Sequence, residues 1–283
     1  MSDKQFHTWE EAVKWLTTQA EQQELVRACY YDIPLKLAAE RYWNSEEWQA
    51  IKEFFPHNTG VALDLGAGNG IASYALAKEG WKVKALEPDP SELVGVGAIR
   101  QLAEENHLPV EVVQEFGEKL PFEERTFDLV FARQVLHHAQ DLQQLCKEIY
   151  RVLKPGGVLI AVREHVISHK HDLPKFLDSH PLHKLYGGEN AYQLKEYLGA
   201  MKLSGLLVDK VIGSFDSVIN YAPLTEESLK SELQKKFNLI PAGNIASNLF
   251  LSTGAFKPFL HLLSKIDHRS GRLFSFICYK PED

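Results

Sequence analysis

The pattern of apolar and polar positions divides the chain into a helical beginning and a longer α/β part. Thr8 and Glu11 have the spacing of a capping box, and apolar residues at helical intervals follow them, which predicts a helix over 8–29. A second box, Asn44 with Glu47, predicts another helix, which a proline ends. The sequence therefore predicts that roughly the first sixty residues are helical.

From Val61 onward, short apolar runs alternate with helical stretches. The strand-like runs are VALDL at 61–65, KVKAL at 82–86, VEVVQ at 110–114, FDLVFAR at 127–133 and GVLIAV at 157–162. Such alternation is typical of βαβ units and predicts a parallel sheet with helices on both faces. After a looser stretch the pattern predicts a helix at about 191–203, a strand within 206–215, a helix from Thr225 and a last strand at 272–280.

Composition and charge narrow the class of protein. The 283 residues are 45% hydrophobic and 24% charged, which is ordinary for a soluble globular chain. Lys and Arg number 31 against 38 Asp and Glu, so the net charge of −7 gives no positive field for a nucleic acid. Three dispersed cysteines without a CxxC pair, no secretory signal and no long apolar run predict a cytoplasmic protein without membrane association.

The strongest motif is VALDLGAGNG at 61–70, a strand followed by glycines and a helix. Gly66, Gly68 and Gly70 suit a sharp turn in which the backbone approaches a ligand, because glycine tolerates positive φ and has no Cβ. Ile71 stands where a dinucleotide fingerprint needs its third glycine. That departure disfavours a nicotinamide-dependent oxidoreductase.

The run from about 55 to 165 resembles the Rossmann-like (class I) S-adenosylmethionine-dependent methyltransferases, in particular the small-molecule branch that includes ubiquinone and menaquinone biosynthesis enzymes. The matching segments are DLGAGNG at 64–70, Glu87 after the second strand, EKLPF at 118–122, FDLVFARQVLHHAQD at 127–141 and LKPGGVLIAV at 153–162. The resemblance implies S-adenosylmethionine as cofactor, a small-molecule acceptor, and an α/β three-layer fold with a seven-stranded, mostly parallel sheet. It also implies a helical cap over 1–58 and a methyltransferase domain over 59–283, with insertions after strands five and six at about 163–190 and 223–270.

The resemblance assigns cofactor contacts to one set of positions along the chain. They are Asp64, Gly66, Ala67 and Gly68 near the methionine end, Glu87 at the ribose, Phe116 and Gly117 at the adenine, and Arg133 after the fourth strand. Phe116 departs from the family, where many relatives carry an aspartate for the adenine amino group. Two carboxylates have plainer alternatives, because Asp64 could merely brace the turn and Glu87 could be a solvated loop residue.

Histidines are concentrated on the acceptor side, with seven of twelve between 137 and 183. His165 follows the fifth strand directly and is the candidate general base, although a merely hydrogen-bonded loop histidine explains it equally well. His137 and His138 are better explained by packing and capping. The spacing of His165, His169 and His171 lacks HExxH and a clear third ligand, so no metal ligands are assigned.

Other features leave alternatives open. The stretch at 29–43 contains Tyr30, Tyr31, Arg41 and Tyr42, which could close over the cofactor or simply pack between helices. The fourth strand is followed by ARQV rather than [DNS]PP[YFW], which disfavours methylation of nucleic-acid or amide nitrogens. A catalytically silent cofactor-binding or scaffold protein remains an alternative, and the sequence leaves the oligomeric state open.

Overall fold

A twisted sheet runs through the centre of the computed structural model, which describes residues 8–179, 183, 189–239, 243–252 and 254–282, without the side chains of 244, 246 and 248. The strands are β1 (Val61–Leu65), β2 (Lys82–Leu86), β3 (Val110–Val113), β4 (Phe127–Arg133), β5 (Leu153–Ile167), β6 (Tyr192–Gln193), β7 (Leu207–Ile212) and β8 (Arg272–Tyr279). The helices are α1 (Trp9–Thr17), α2 (Gln23–Ala28), α3 (Leu35–Trp43), α4 (Glu46–Lys52), α5 (Ile71–Lys78), α6 (Val96–Glu105), α7 (Leu142–Val152), α8 (Leu173–Leu177), α9 (Leu194–Leu203), α10 (Val218–Tyr221), α11 (Glu226–Phe237), α12 (Gly243–Phe250) and α13 (Phe256–Ile266).

The sheet has the order β3-β2-β1-β4-β5-β8-β7, with the two-residue β6 pairing to the end of β5. Strands β1 to β5 are parallel, whereas β8 is antiparallel to both β5 and β7. The predicted mostly parallel α/β fold is confirmed. Because parallel strands end at one edge, the residues after β1, β2, β4 and β5 meet there, and such edges are where open α/β sheets bind ligands.

Alternate strand residues build two hydrophobic layers on the two faces of the sheet. Leu63 and Leu65 face α7 and α9, while Ala62 on the same strand faces α3, α4 and α5. Helices α3 and α4 therefore belong to the layer that covers the sheet. Helices α1 and α2 instead form a small cluster of their own.

Two details of the N-terminal helices differ from the sequence analysis. The helix expected over 8–29 is divided into α1 and α2, although the capping box of Thr8 and Glu11 is present. The second box was assigned one residue too early: Ser45 caps α4 by accepting a hydrogen bond from the Trp48 N–H. The side-chain amide of Asn44 instead donates to the carbonyl oxygen of Glu40 in the preceding helix.

The two expected insertions lie beyond the carboxyl ends of the strands except for residues 163–167, which belong to β5 because that strand runs five residues further than expected. Parts of both insertions fall outside the described residues. The segment after β5 carries α8, and the longer segment between β7 and β8 carries α10 to α13 with a small apolar cluster around Leu229, Phe256 and Leu260. Within the described ranges, no helix has both the length and the apolar character needed to cross a bilayer.

Candidate functional site

The turn after β1 has the conformation that its glycines allow. Gly66 and Gly68 have φ of +65° and +54°, and Gly70, at +85°, is the N-cap of α5. A Cβ at Gly66 would lie 2.7 Å from the side chain of Val135, so this position is closed by packing. A Cβ at Gly68 would meet nothing within 4 Å, which means that this part of the backbone borders open space.

Glu87, at the end of β2, ties the second strand to this turn. One carboxylate oxygen accepts the Gly68 N–H at 2.8 Å and the other accepts the Asp89 N–H at 3.0 Å. Burial raises the pKa of Glu87, while these two backbone donors lower it. Each oxygen retains acceptor capacity, because a carboxylate has about four lone-pair sites. Glu87 can therefore position the turn and bind two further hydroxyl groups.

Asp64 lies under the same turn and is 1% exposed. Its carboxylate accepts a hydrogen bond from the Ser73 hydroxyl at 2.6 Å. Burial, together with the negative charge of Glu87, raises the pKa of Asp64 to about 7, and the Ser73 hydrogen bond opposes this rise. Bracing of the turn and a role toward a ligand are compatible here, since Asp64 also borders the cavity described next.

A cavity of about 1190 Å³ opens at the carboxyl edge of the sheet. It is bordered by all nine residues that the sequence analysis assigned to a site: Asp64, Gly66, Ala67, Gly68, Glu87, Phe116, Gly117, Arg133 and His165. The first insertion contributes Phe176, Ser179 and Glu189 to the same wall. The second contributes Pro223 and Ser270. The structure thus brings the predicted cofactor positions and the predicted catalytic residue to one continuous space.

Arg133 is paired with Glu47, a residue expected from the sequence to belong to a capping box. Its Nε donates to the buried carboxylate of Glu47 at 2.8 Å, and its guanidinium lies over the rings of Tyr30 and Tyr42. Burial lowers the pKa of Arg133, but Glu47 outweighs it and keeps the group fully charged. A second guanidinium, that of Arg163, lies 3.9 Å from Glu47 and also borders the cavity. One buried carboxylate thus faces two cations at this wall.

The residues of the aromatic stretch at 29–43 differ in their surroundings: some border the cavity, and others pack between helices. Tyr31 borders the cavity. Tyr42 is buried between Tyr30 and Trp48, as helix packing predicts. Arg41 forms two hydrogen bonds to Asp32, at 2.7 and 2.6 Å, so its guanidinium is already paired with a carboxylate.

Glu164 is a polar residue at the site that the sequence analysis missed. Its carboxylate is fully buried and accepts the backbone N–H groups of 135, 136 and 137 and a hydrogen bond from His137 Nδ1 at 2.7 Å. Burial lowers the pKa of His137, but Glu164 and Glu189 outweigh it and raise the value to about 9. The irregular pairing of β5 with β8 at 161–164, with Arg163 at φ +62°, brings Glu164 inward. A charged residue inside the run GVLIAVREHVI is the signal that could have indicated it.

His165 lies at the end of β5 on the cavity wall, with its Nδ1 3.0 Å from the carbonyl oxygen of Gly271. Burial and the neighbouring His137 charge lower its pKa to about 3. A neutral imidazole with Nδ1 donating to Gly271 leaves Nε2 as the ring nitrogen with a lone pair. His169 and His171 stack on each other away from the cavity, and His180 lies outside the described residues.

Comparison with known proteins agrees with this geometry. Residues 63–161 match the family model described as a methyltransferase domain. This part of the chain is similar to methyltransferase domains, and the sheet around it has the Rossmann-like fold that solved methyltransferase structures also have.

The relatives differ in the activities that their names give. The chain is 32% identical over 125 residues to the demethylmenaquinone methyltransferase of Chlorobaculum tepidum, a match that covers 44% of this chain and 49% of that protein. It is 38% identical over 105 residues to the mitochondrial arginine-hydroxylase NDUFAF5 of Homo sapiens, covering 37% of this chain and 29% of that protein. These matches therefore span half or less of each relative's length. The structure of a geranyl diphosphate methyltransferase in complex with SAM superposes with a TM-score of 0.53 at 18% identity, covering 88% of this chain and 90% of that one.

Proposed function

We propose that the protein is an S-adenosylmethionine-dependent methyltransferase that acts on a small-molecule acceptor. The observation that carries the proposal is the single cavity at the carboxyl edge of the sheet, because it joins the glycine turn, Glu87 and His165. The methyltransferase domain match over 63–161 supports the same conclusion independently.

The residues of the cavity suit this cofactor. Gly68 leaves open space beside its backbone, and Glu87 retains acceptor sites for vicinal ribose hydroxyls. Phe116, 66% exposed beside Gly117, offers a ring face to a planar base. Asp64 would offer carboxyl oxygens for hydrogen bonds near the methionine end. When bound, the cofactor supplies an electrophilic methyl group on a sulfonium, so the protein mainly has to align the acceptor and exclude water.

The acceptor side of the cavity combines the ring of Phe176 with polar groups such as His165 and Glu189, which suits a small molecule with polar substituents. His165, near the end of β5, and Phe176, from the segment after it, are in ring contact with centroids 4.7 Å apart. Arg163 and Arg133 also border the cavity and supply positive charge, shared with one carboxylate. The net charge of −7 offers no broad basic surface, which favours a small acceptor over a nucleic acid.

His165 is retained as the candidate residue that meets the acceptor, because of its position on the cavity wall. Its low pKa changes the role expected of it. A nitrogen that holds a proton only below about pH 3 is a weak general base at neutral pH. Donation of the Nε2 lone pair to an acceptor or an ion suits this environment better.

The experiment has two readouts with the purified chain. Calorimetry measures S-adenosylmethionine binding to wild type, to Glu87→Ala and to Glu111→Ala, a matched control whose exposed carboxylate pairs with Lys84 on the neighbouring strand. Binding is expected to be lost or weakened only in Glu87→Ala. Methyl-labelled cofactor is then incubated separately with metabolite extract, RNA and protein.

Label in the small-molecule fraction is the expected result. Label found only in RNA or protein would contradict the acceptor class. Cofactor binding with no transfer to any fraction would favour a silent cofactor-binding protein, and absence of binding would overturn the proposal altogether.

A further inference from the structure

Three side chains that the sequence does not bring together converge at the acceptor end of the cavity. His137, His165 and Glu189 each offer a donor atom, and these three atoms lie within 4.8 Å of one another. They come from the turn after β4, the end of β5 and the segment before β6. All three border the cavity.

Both histidines are oriented as metal-ligating histidines usually are. His137 Nδ1 is bonded to the Glu164 carboxylate at 2.7 Å, and His165 Nδ1 is bonded to the Gly271 carbonyl oxygen at 3.0 Å. Ligating histidines almost always engage the other ring nitrogen in this way, with a carboxylate or a backbone carbonyl. In both rings Nε2 is thus the nitrogen that faces the cluster. His165 Nε2 has a lone pair, whereas His137 Nε2 would release its proton to solvent when an ion binds.

Glu189 supplies an unsatisfied acceptor at the same point. Its Oε2 is buried and has no hydrogen-bond partner in the described part of the chain. The nearest charged neighbour is His137 Nε2 at 3.4 Å, and the other carboxylate oxygen lies 3.8 Å from His138 Nε2. The charged His137 ring compensates this buried carboxylate without a hydrogen bond of normal length, and a divalent ion would take its place as the positive partner.

We propose that His137, His165 and Glu189 bind one divalent transition-metal ion at the acceptor end of the cavity. Two nitrogen ligands and one carboxylate suit Zn²⁺ or Fe²⁺ and leave coordination positions open. Donor atoms about 2.0–2.2 Å from a tetrahedral metal are about 3.3–3.6 Å apart, which fits the 3.4 Å between His137 Nε2 and Glu189 Oε2. The other separations among the three donor atoms are at most 4.8 Å and would have to shorten when the ion binds.

Binding of the metal does not depend on the proposed methyltransferase function. Only the role inferred for the metal rests on that function. The open positions face the cavity, so an acceptor with a ligating oxygen, such as a hydroxyl or a carbonyl, would occupy one of them. The metal would orient that oxygen and polarise it. His165 would then act as a ligand and not as the general base of the sequence analysis.

The test uses Co²⁺ alone, added to the tag-free chain without cofactor or acceptor, and follows visible absorption and calorimetric heat. Wild type is expected to bind one equivalent. His165→Gln and Glu189→Gln are each expected to bind at least about tenfold more weakly. The matched control is the double variant His169→Gln/His171→Gln, which removes two neighbouring surface histidines outside the cavity and is expected to bind as wild type does.

Circular dichroism and thermal unfolding show whether each variant is folded, and Glu189→Asp, which keeps a carboxylate donor, is expected to retain part of the affinity. The metal site would be refuted if wild type failed to bind Co²⁺, or if His165→Gln and Glu189→Gln bound it as tightly as wild type does. The cluster would then be an ordinary ion pair. The Co²⁺ titration contains no cofactor, so its result is independent of the separate measurement of S-adenosylmethionine binding. Metal binding without S-adenosylmethionine binding would overturn the proposed function alone. The reverse result would overturn the metal site alone.

Discussion

Replacing Asp64 with asparagine should abolish a specific pH dependence of the stability of the protein. In the folded state this carboxyl is buried and its pKa is about 7, against an ordinary value of 3.8. A carboxyl with a raised folded pKa binds its proton more tightly when folded. Its contribution to stability is therefore fully present below about pH 4 and is lost as the pH rises toward about 7.

The size of the effect follows from the two pKa values. Each pKa unit corresponds to about 1.4 kcal/mol, so the full loss between acid and neutral pH is about 4 kcal/mol. About half of that, roughly 2 kcal/mol, falls between about pH 5.5 and about pH 8. Asparagine is close in shape, can still accept the Ser73 hydrogen bond and has no charge at either pH.

Urea unfolding of wild type and Asp64→Asn at about pH 5.5 and about pH 8 isolates the contribution of the Asp64 carboxyl, because the other titrating groups are common to the two proteins. The free energy of unfolding of wild type should fall by about 2 kcal/mol more than that of the variant. Ser73→Ala, which removes the hydrogen bond that lowers this pKa, should move the loss to higher pH. Identical pH dependence in wild type and Asp64→Asn would refute the reasoning.

Three further substitutions test other contacts of the site. Gly68→Ala adds a methyl group where nothing lies within 4 Å, so the chain should stay folded by circular dichroism but lose S-adenosylmethionine binding in calorimetry; normal affinity would contradict this. Glu87→Gln removes the charge and one of the acceptor oxygens offered to the ribose and should weaken cofactor binding by about 1.5–3 kcal/mol. The effect should disappear with an analogue lacking both ribose hydroxyls, whereas an undiminished effect would indicate a displaced turn at Gly68. Glu47→Gln leaves the buried Arg133 charge without its carboxylate and should lower the free energy of unfolding by about 3–5 kcal/mol in urea; a loss below about 1 kcal/mol would show that other groups neutralise the charge.

The cofactor half of the candidate site is encoded locally, and for that reason the sequence could predict its geometry. Gly66 and Gly68 follow β1 directly, and their positive φ values are what a sharp turn out of a strand requires. Glu87 ends β2, which pairs with β1 in register, so its position beside the turn follows from the βαβ pattern. What the sequence could not show is that the carboxylate also accepts the Gly68 N–H.

Polar contacts between distant residues could not be predicted. Glu47 and Arg133 are 86 residues apart, and Glu47 fitted a capping box just as well until the structure placed Ser45 at the cap. Glu164 and His137 are 27 residues apart and meet only because β4 and β5 are neighbours with an irregularity at Arg163. Spacing rules carry no information about such pairs, since they depend on strand order and on where a strand departs from regular pairing.

The two ends of the cavity also differ in whether their residues are close together or far apart in the sequence. At the cofactor end, backbone groups of one turn and one carboxylate form the wall, so many sequences of this pattern can build it. At the acceptor end, His165 is fixed by Gly271, 106 residues further on, and faces Glu189 from the first insertion. Described residues of the insertions outside β5 can change without disturbing the sheet, because the two core layers do not include them. The chemistry of the acceptor is therefore expected to follow from these long-range contacts, and the Co²⁺ titration tests them directly because it needs no acceptor.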